Sequence, residues 1–394
     1  MKIVHVEDYF HPDAGYQLNI LCRHLVKLGH EVVIITSKMD KTPANLSRFF
    51  DFENIDEKDA SYTRKYGVKI IRLPIHGFVS GRGIFTKTIY KTIQLEKPDL
   101  VYIHGNDTLT GMRYLMRHNR MGFPLIMDSH MLEMAATNKF NKLFRWFYRH
   151  FFAPKLIKHG ILVIRTQNDP YVEKCLGVPL EQAPWISIGS DTMLFKPDDE
   201  TKRQFRQKYD IPQNAFVVLY AGKLDKNKGG LLLANTLQEK LPTNQEIVFL
   251  IVGKASGEYG EKVEELLKKS KNRILRFPTQ KHCDLAPFYQ AADLALFPKQ
   301  CSLSFYDVQA CGLPVLFEDN NINIERSKNG NALTFVSGDM ASFREKLTLF
   351  ANMPKTDWQA MSDNAISYIK NGYDYAEITK EYLDCFIRTV ENHH

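Results

Sequence analysis

The sequence has 394 residues, of which 44% are hydrophobic and 25% charged, a globular composition that excludes collagen-like, coiled-coil and wholly disordered classes. A chain of this length exceeds what one hydrophobic core usually fills, which favours two domains. No stretch approaches the roughly 20 apolar residues of a membrane-spanning helix, and the formal net charge of +7 is concentrated between residues 113 and 158.

Short apolar, β-branched runs alternate with helix-like segments along almost the whole chain. These runs are 1–6, 31–36, 68–74, 99–104, 124–130, 161–165, 216–222, 246–253, 274–277, 294–298 and 314–317. Runs with little polar alternation, separated by helices, predict parallel strands that are buried on both faces. Because the βαβ pattern repeats twice, the sequence predicts an α/β fold of two Rossmann-like, doubly wound domains that face each other across a cleft.

The alternation is interrupted between residues 185 and 200, where turn-forming and acidic residues cluster. We therefore expect an N-terminal Rossmann-like domain over 1–190, a second one over 191–372, and a C-terminal helix over 373–394 that packs back on the first domain. Residues 38–66 are polar and rich in charge without a clear period, which predicts a mobile loop outside the core.

Two features indicate the compartment. The six cysteines are scattered without the spacing of a zinc site, so we interpret them as small buried side chains in a reducing environment. Acidic residues at positions 7 and 8 end the first apolar run, which argues against a secretory signal. The sequence therefore predicts a cytoplasmic protein.

Two strand ends in the first half carry residues of chemical interest. Gly15 lies just before the first predicted helix, where the lack of a side chain lets a ligand approach the backbone. Its loop is neither GxGxxG nor a Walker A sequence, so a redox dinucleotide has little support. His130 follows a buried run and could bond a phosphate or a sugar hydroxyl, although a lone histidine is more often structural. Asp128 and His130 have no third ligand nearby in the sequence, which predicts no metal site.

The excess positive charge comes from residues 113–158, where nine Lys and Arg residues face only two acidic ones. Within this segment, residues 140–160 interleave aromatic and basic side chains. A helix would place phenylalanines such as Phe151 on one face, with Arg145 and Arg149 on its flanks. Such a helix either contacts the headgroups of an anionic membrane or packs its apolar face on the sheet, with its charges in solvent. The sequence does not separate these two interpretations.

A lysine-rich turn in the second half is the strongest local signal. A buried run ends at Gly222, Lys223 and Lys228 follow, and Gly229 and Gly230 open onto a helix. Two ammonium groups beside a helix N-terminus suit a diphosphate, because the helix dipole and the first N–H groups add to the positive charge. The alternative is a solvated turn, since lysines are common in such turns.

These motifs, in their order, resemble family 4 of the retaining glycosyltransferases, which have the two-domain GT-B fold. The resemblance covers almost the full length and includes 25–37, 98–105, 187–197, 221–230, 251–266, 287–298, 310–315 and 329–339. It implies transfer of a hexose or N-acetylhexosamine from a nucleotide sugar, with a UDP-sugar favoured, to a hydroxyl of a saccharide acceptor. It also implies retention of configuration and no metal or other cofactor.

The resemblance also assigns roles to individual residues. Lys223 stands where the family usually has arginine, and Lys228 matches the family lysine, so both would contact the donor diphosphate and assist catalysis. Gly15 would place its backbone against the phosphates or the transferred sugar, and His130 would face the reacting centre. The nucleobase is expected against the backbone after residue 277, which here is Pro278 and Thr279.

The family usually has two glutamates separated by seven residues, and this sequence departs from that pattern. Asp307 stands at the second position, where it can still accept hydrogen bonds from a ribose. Lys299 stands at the first, where a charged lysine cannot accept a hydrogen bond from the sugar. The sugar is then held by other groups, or the donor preference has moved, or activity has been lost. We favour the first, with the turn formed by Ser302, Leu303 and Ser304 as the replacement.

Three alternatives to a transferase follow from the same residues. A GT-B nucleotide-sugar epimerase would keep the diphosphate-binding lysines but need carboxylates where Lys299 stands. A non-catalytic accessory subunit that only binds a nucleotide sugar is compatible with the same departure. A nucleic-acid-binding role ranks last, because the basic residues lie in one segment without a known module. The expected partners are a nucleotide sugar and a saccharide or lipid-linked acceptor, at the inner face of the membrane.

Overall fold

In the computed structural model, the described residues are 1–41, 53–79, 82–133, 141–243 and 245–393. They divide into two compact units. The first unit is Met1–Ile188 together with Tyr375–His394, and the second is Gly189–Asp374. The chain therefore leaves the first unit once and returns to it for its last helix.

The first unit is built on a parallel sheet of six strands. In spatial order they are β3 (Lys69–Leu73), β2 (Glu31–Ser37), β1 (Lys2–Glu7), β6 (Leu100–Ile103), β7 (Leu125–Ser129) and β8 (Leu162–Arg165). Every residue of β6 and β7 is buried, as the unbroken apolar runs predicted. A separate antiparallel hairpin pairs β4 (Ile75–Val79) with β5 (Arg82–Phe85).

Helices follow these strands along the chain. They are α1 (Gln17–Lys27), α2 (Ile55–Tyr66), α3 (Thr88–Glu96), α4 (Leu109–Leu115), α5 (His118–Met121), α6 (Asn141–Phe151) and α7 (Ala153–Lys158). Short helical turns are Met39–Lys41, Tyr171–Cys175 and Leu180–Gln182.

The second unit repeats this architecture. Its six parallel strands, in spatial order, are β11 (Arg273–Phe277), β10 (Ile247–Val252), β9 (Phe216–Ala221), β12 (Leu294–Phe297), β13 (Val315–Glu318) and β14 (Ala332–Phe335). In both sheets the third, second and first strands of the unit precede the fourth, fifth and sixth, which is the Rossmann order. The predicted pair of doubly wound α/β domains is confirmed.

The helices of the second unit complete the chain order. They are α8 (Asp199–Lys208), α9 (Gly230–Thr236), α10 (Gly257–Lys269), α11 (Ala286–Ala291), α12 (Ser304–Ala310), α13 (Asn321–Ser327), α14 (Met340–Ala351) and α15 (Lys355–Lys370), with a short turn at His282–Leu285.

The last helix, α16 (Tyr375–Glu391), belongs to the first unit. Its buried face carries Tyr375, Ile378, Tyr382 and Phe386, which repeat at helical spacing. These side chains join the apolar cluster that lies between the sheet and α1. The helix therefore completes one side of the first unit's core.

The expectation of a loop over 38–66 is wrong for its second part. Residues 55–66 form α2, while 42–52 lie outside the described residues. Tyr62 is the only buried residue of α2, and its hydroxyl donates a hydrogen bond to the carbonyl oxygen of Asn19 at 2.7 Å. A helix that buries a single side chain has no apolar stripe, so the periodicity of the sequence could not reveal it.

Candidate active site

Parallel strands bring the predicted site residues to one edge of each sheet, because their carboxyl ends all point the same way. In the first unit, Gly15 lies in the loop after β1, and His130 directly follows β7. In the second unit, Lys223 follows β9 and Lys299 follows β12, the two strands between which the sheet order reverses. Each pair therefore lies at the edge where doubly wound folds bind ligands.

In the first unit, the carboxylate of Asp128 is the centre of a buried hydrogen-bonded cluster. Its Oδ2 accepts the hydroxyl of Tyr102 at 2.8 Å and lies 2.8 Å from Nδ1 of His104. Nε2 of His130 lies 3.2 Å from the same oxygen. Oδ1 accepts the N–H of Gly105 at 2.7 Å. Both carboxylate oxygens are therefore engaged.

The cluster shifts the pKa values of its members in opposite directions. Burial opposes ionisation of Asp128, but the charges and hydrogen bonds of His130 and His104 hold its pKa well below the usual range. Burial also opposes the charged form of His130, but the charge and the hydrogen bond of Asp128 raise its pKa above 6.5. The pair therefore favours a carboxylate facing a protonated imidazole.

The structure supplies the third side chain that the sequence interpretation lacked near Asp128 and His130. His104 precedes Asp128 by 24 residues, on the neighbouring strand end, and the three offer ligand atoms within 4.8 Å of one another. A metal ion could bridge atoms at this spacing. Because Oδ2 of Asp128 already accepts three hydrogen bonds, we describe the group as a hydrogen-bonded cluster and assign no metal to it.

Sequence reasoning missed three charged residues at the same edge of the first sheet. Asp8 follows β1 and is buried, and burial together with the charge of Glu7 raises its pKa to about 7. The guanidinium of Arg82, at the start of β5, interacts electrostatically with Glu7, Asp8 and Asp107. The hydroxyl of Thr110 donates to Asp8 at 3.0 Å. Carboxylates that accept and a guanidinium that donates hydrogen bonds suit the hydroxyl groups of a sugar.

In the second unit, the lysine turn packs against the loop that follows β12. Nζ of Lys228 donates to the carbonyl oxygen of Cys301 at 3.0 Å. Gly229 has a φ of +73°, and a Cβ added there would lie 3.1 Å from the Cβ of Lys299 and 3.2 Å from that of Pro298. A glycine is therefore required for this close approach. The predicted residues Lys228 and Lys299 are thus brought together.

Lys223 and Lys228 are close enough to affect each other's charge. Burial lowers the pKa of Lys223, and the like charge of Lys228 acts in the same direction. Burial also lowers the pKa of Lys228, with a further contribution from Arg326. Like charges held together in a partly buried turn are stabilised by an anion. The N–H groups of Gly230 and Leu231, in contrast, donate to Asp225 and Tyr259.

The turn after β12 has an unusual backbone that a buried carboxylate holds. Gln300 has a φ of +57°, and its N–H donates to Oε1 of Glu318 at 2.7 Å. The hydroxyls of Ser302 and Ser304 lie 2.8 Å apart, and Leu303 between them is 46% exposed. Neither Glu318 nor its role was predicted, because it lies at the end of another strand.

Asp307 lies on α12, and its carboxylate faces other parts of the second unit. Oδ1 accepts the hydroxyl of Ser190 at 2.7 Å, and Oδ2 lies 2.9 Å from Nε2 of His282. A ribose would have to share or displace these partners, so ribose binding by Asp307 stays a prediction. Pro278 and Thr279 directly follow β11 at the same sheet edge, where their predicted contact with a nucleobase is equally untested.

The basic and aromatic segment divides between the core and the surface. Phe144 and Phe152 pack in the core of the first unit, whereas Phe147 and Phe151 are 43% and 50% exposed. The predicted contact residues Arg145 and Arg149 are engaged within the unit. The guanidinium of Arg145 lies over the ring of Tyr171 at 5.5 Å, and that of Arg149 donates to the carbonyl oxygen of Lys174.

Solved structures share this arrangement of two units. A glycosyltransferase from Rickettsia africae is 15% identical, with 99% of each chain covered and a TM-score of 0.73. HepE from Anabaena, solved with UDP and glucose, is 17% identical over 98% of this chain and 100% of its own, also with a TM-score of 0.73. At such low identity this likeness concerns the fold alone.

Two family models match the chain, one in each half. Residues 14–158 match the model described as Glycosyltransferase Family 4, and residues 201–369 match that described as Glycosyl transferases group 1. The chain is a family 4-like glycosyltransferase of the GT-B fold. The resemblance that the sequence motifs predicted is therefore confirmed.

Among characterised relatives, this glycosyltransferase is similar to enzymes with sugar and sugar-phosphate names. It is 24% identical to a probable sucrose-phosphate synthase of Thermosipho melanesiensis, over 95% of this chain and 91% of that protein. It is 32% identical to a D-inositol 3-phosphate glycosyltransferase of Catenulispora acidiphila, over 36% of each chain. Among the described residues, no helix combines the length and the apolar character needed to cross a membrane.

Proposed function

We propose that this glycosyltransferase moves a hexose or N-acetylhexosamine from a UDP-sugar to a hydroxyl of a saccharide acceptor, with retention of configuration. The observation that carries this proposal is the pair Lys223 and Lys228, held close together at the strand order reversal of the second sheet. HepE, which has a similar fold, was solved with UDP and glucose, and this supports the choice of nucleotide.

The lysines would stabilise the leaving group. Breaking the bond between the anomeric carbon and the phosphate oxygen leaves negative charge on a nucleoside diphosphate, and charge-assisted hydrogen bonds stabilise it. The sequence has no Asp-x-Asp motif between a strand and a turn, so we assign this role to Lys223 and Lys228 without a divalent ion. The acceptor oxygen would attack from the face that the phosphate leaves, and its proton would pass to the departing phosphate oxygen.

The transferred sugar would be held without the usual first glutamate. Lys299 stands in its place, so the proposed partners are the backbone of Gln300 and the hydroxyls of Ser302 and Ser304. Glu318 supports this assignment, because it fixes the turn through the N–H of Gln300. At the first unit, Gly15 would contact the phosphates or sugar through its backbone.

A thermal-shift screen against UDP-, GDP-, ADP- and dTDP-sugars tests the donor. We expect the UDP-sugar to stabilise the protein most, since a ligand at 100 times its Kd contributes about 2.7 kcal/mol. Incubation with labelled donor and an acceptor panel then tests the reaction. Conversion of the donor without acceptor would indicate the epimerase, and binding without turnover on any acceptor would indicate the accessory subunit. Equal stabilisation by no nucleotide sugar would refute the proposal.

We further propose that the acceptor is lipid-linked and that the first unit docks on an anionic membrane surface. We define the docking face as the exposed side chains of Leu143, Trp146, Phe147 and Phe151 on α6, with Lys142 and Lys158. The rings of Trp146 and Phe147 lie 6.3 and 4.8 Å from that of Phe151, so the aromatic side chains form one patch. Aromatic and basic side chains together suit the headgroup region.

Flotation with anionic liposomes at low salt tests this docking. Replacing Trp146, Phe147 and Phe151 together by serine should reduce the bound fraction at least about tenfold, since burying each aromatic side chain contributes about 1.5–3 kcal/mol. Leu95→Ser is the matched control, because Leu95 is 70% exposed on α3 of the same unit. Equal flotation of wild type and triple variant would refute the docking face.

A further inference from the structure

Both ring nitrogens of His130 face hydrogen-bond partners, and the partners determine where the protons lie. Nδ1 lies 2.9 Å from the hydroxyl oxygen of Thr166. That hydroxyl has one hydrogen, which it donates to the carbonyl oxygen of Ser129 at 3.2 Å. The hydroxyl therefore accepts from Nδ1 of His130, and Nδ1 carries a proton.

The second nitrogen faces a group that can only accept. Nε2 of His130 lies 3.2 Å from Oδ2 of Asp128, which is fully buried and which two further donors, Tyr102 and His104, hold as a carboxylate. A lone pair on Nε2 would face the lone pairs of this oxygen. A proton on Nε2 removes that repulsion and makes the ring a cation.

The same donors extend the cluster to the last helix. The hydroxyl of Tyr102 is also hydrogen-bonded to that of Tyr382 on α16, which in turn accepts the side-chain amide of Gln17 at 2.5 Å. Nε2 of His104 lies 3.1 Å from Nδ1 of His5. Asp128 is therefore fixed from β1, β6 and α16 at once, and it can hold the ring of His130 in one orientation.

We propose that His130 is an imidazolium ion fixed by Asp128 and Thr166, and that it contributes positive charge to the reaction and does not take up the acceptor's proton. A ring with a proton on each nitrogen cannot act as a base. The bond from the anomeric carbon to the phosphate oxygen breaks, the bond to the acceptor oxygen forms, and the acceptor's proton leaves with the phosphate. This role in transfer rests on the proposed function, whereas the charge of the ring does not.

Other charged groups face the ring from the neighbouring elements. Glu7 at the end of β1 favours the imidazolium, and Arg82 at the start of β5 opposes it. Asp107, in the loop after β6, interacts with both Arg82 and Asp128. The negative charges outnumber the guanidinium, so the surroundings as a whole favour a cation at this position.

The test begins with the protein alone. Nitrogen-15 NMR of labelled histidine, assigned with His130→Gln, should show two protonated ring nitrogens and a titration midpoint above 6.5. Thr166→Val removes the acceptor and should lower the midpoint, whereas Thr166→Ser keeps the hydroxyl and should not. Asp128→Asn should lower it further, and the threonine pair serves if that variant fails to fold. A neutral ring at neutral pH, or zinc replacing the Nε2 proton at one equivalent, would overturn the proposal.

The pH dependence of transfer tests the role. The imidazolium exists below its pKa, so kcat should be lost as the pH rises through the NMR midpoint, and Thr166→Val should move this loss to lower pH. A general base would give the opposite limb, with kcat lost as the pH falls through that midpoint. That opposite limb would overturn the role but leave the charge assignment standing, and NMR needs no active enzyme.

Discussion

Lys228→Ala and Lys223→Ala should each lower kcat/KM for the nucleotide sugar about 10- to 100-fold, since a hydrogen bond to a charged group contributes about 1.5–3 kcal/mol. Both lysines lie in the turn after β9, where burial and mutual repulsion lower their pKa values until an anion binds. A leaving diphosphate gains more charge in the transition state than the bound donor has. The loss should therefore appear in kcat as well as in KM.

The controls for this prediction come from the same turn. Lys226 is exposed and lies between the two lysines, so Lys226→Ala should leave kcat/KM nearly unchanged. Lys223→Arg should retain most activity, because the family resemblance implies arginine at this position. Steady-state kinetics with radiolabelled donor measures all four variants. Near-normal turnover by the Lys223→Ala, Lys228→Ala double variant would remove these residues from the site.

Phe386→Ala should destabilise the first unit by about 3–5 kcal/mol, the cost of losing a fully buried aromatic side chain and leaving a cavity. Phe386 is 0% exposed, and its ring lies 5.5 Å from that of Tyr102 and 6.5 Å from that of His5. The loss therefore reaches the cluster behind Asp128. Because the two units need not unfold together, a single melting temperature is not the right measurement.

Hydrogen exchange of individual strands measures this effect. Amides of β1 and β6 should lose protection in Phe386→Ala, whereas amides of β9 and β10 in the second unit should not. Ile387 is 37% exposed on the same helix, so Ile387→Ala should cost about 1 kcal/mol or less. Equal loss of protection in both units would contradict the assignment of α16 to the first unit.

The strands were predictable because the sheets are buried on both faces. All six residues of β10 are buried, and such a run is visible in the sequence without any partner. β5 and α2 were missed for the opposite reason. β5 alternates buried and half-buried residues over only Arg82–Phe85, and α2 buries Tyr62 alone. Neither element has an apolar pattern long enough to recognise.

The candidate site was predictable only where a motif lies in one piece of chain. Lys223 and Lys228 stand five positions apart in one turn, and His130 ends a buried run. The partners of His130 come from other strands and from the last helix, as with Gln17 and Tyr382, which are 365 residues apart. Sequence spacing contains no information about such contacts, because the topology of the sheet creates them.

The return of α16 makes the second unit an insertion within the first. Domains usually fold in the order in which the ribosome produces them. Here the segment that begins the chain cannot bury Tyr102 and His5 until Tyr382 and Phe386 have been synthesised. The first unit is thus completed last, after the whole of Gly189–Asp374 has left the ribosome. A fusion or truncation at the carboxyl terminus would disturb the half of the protein that is made first.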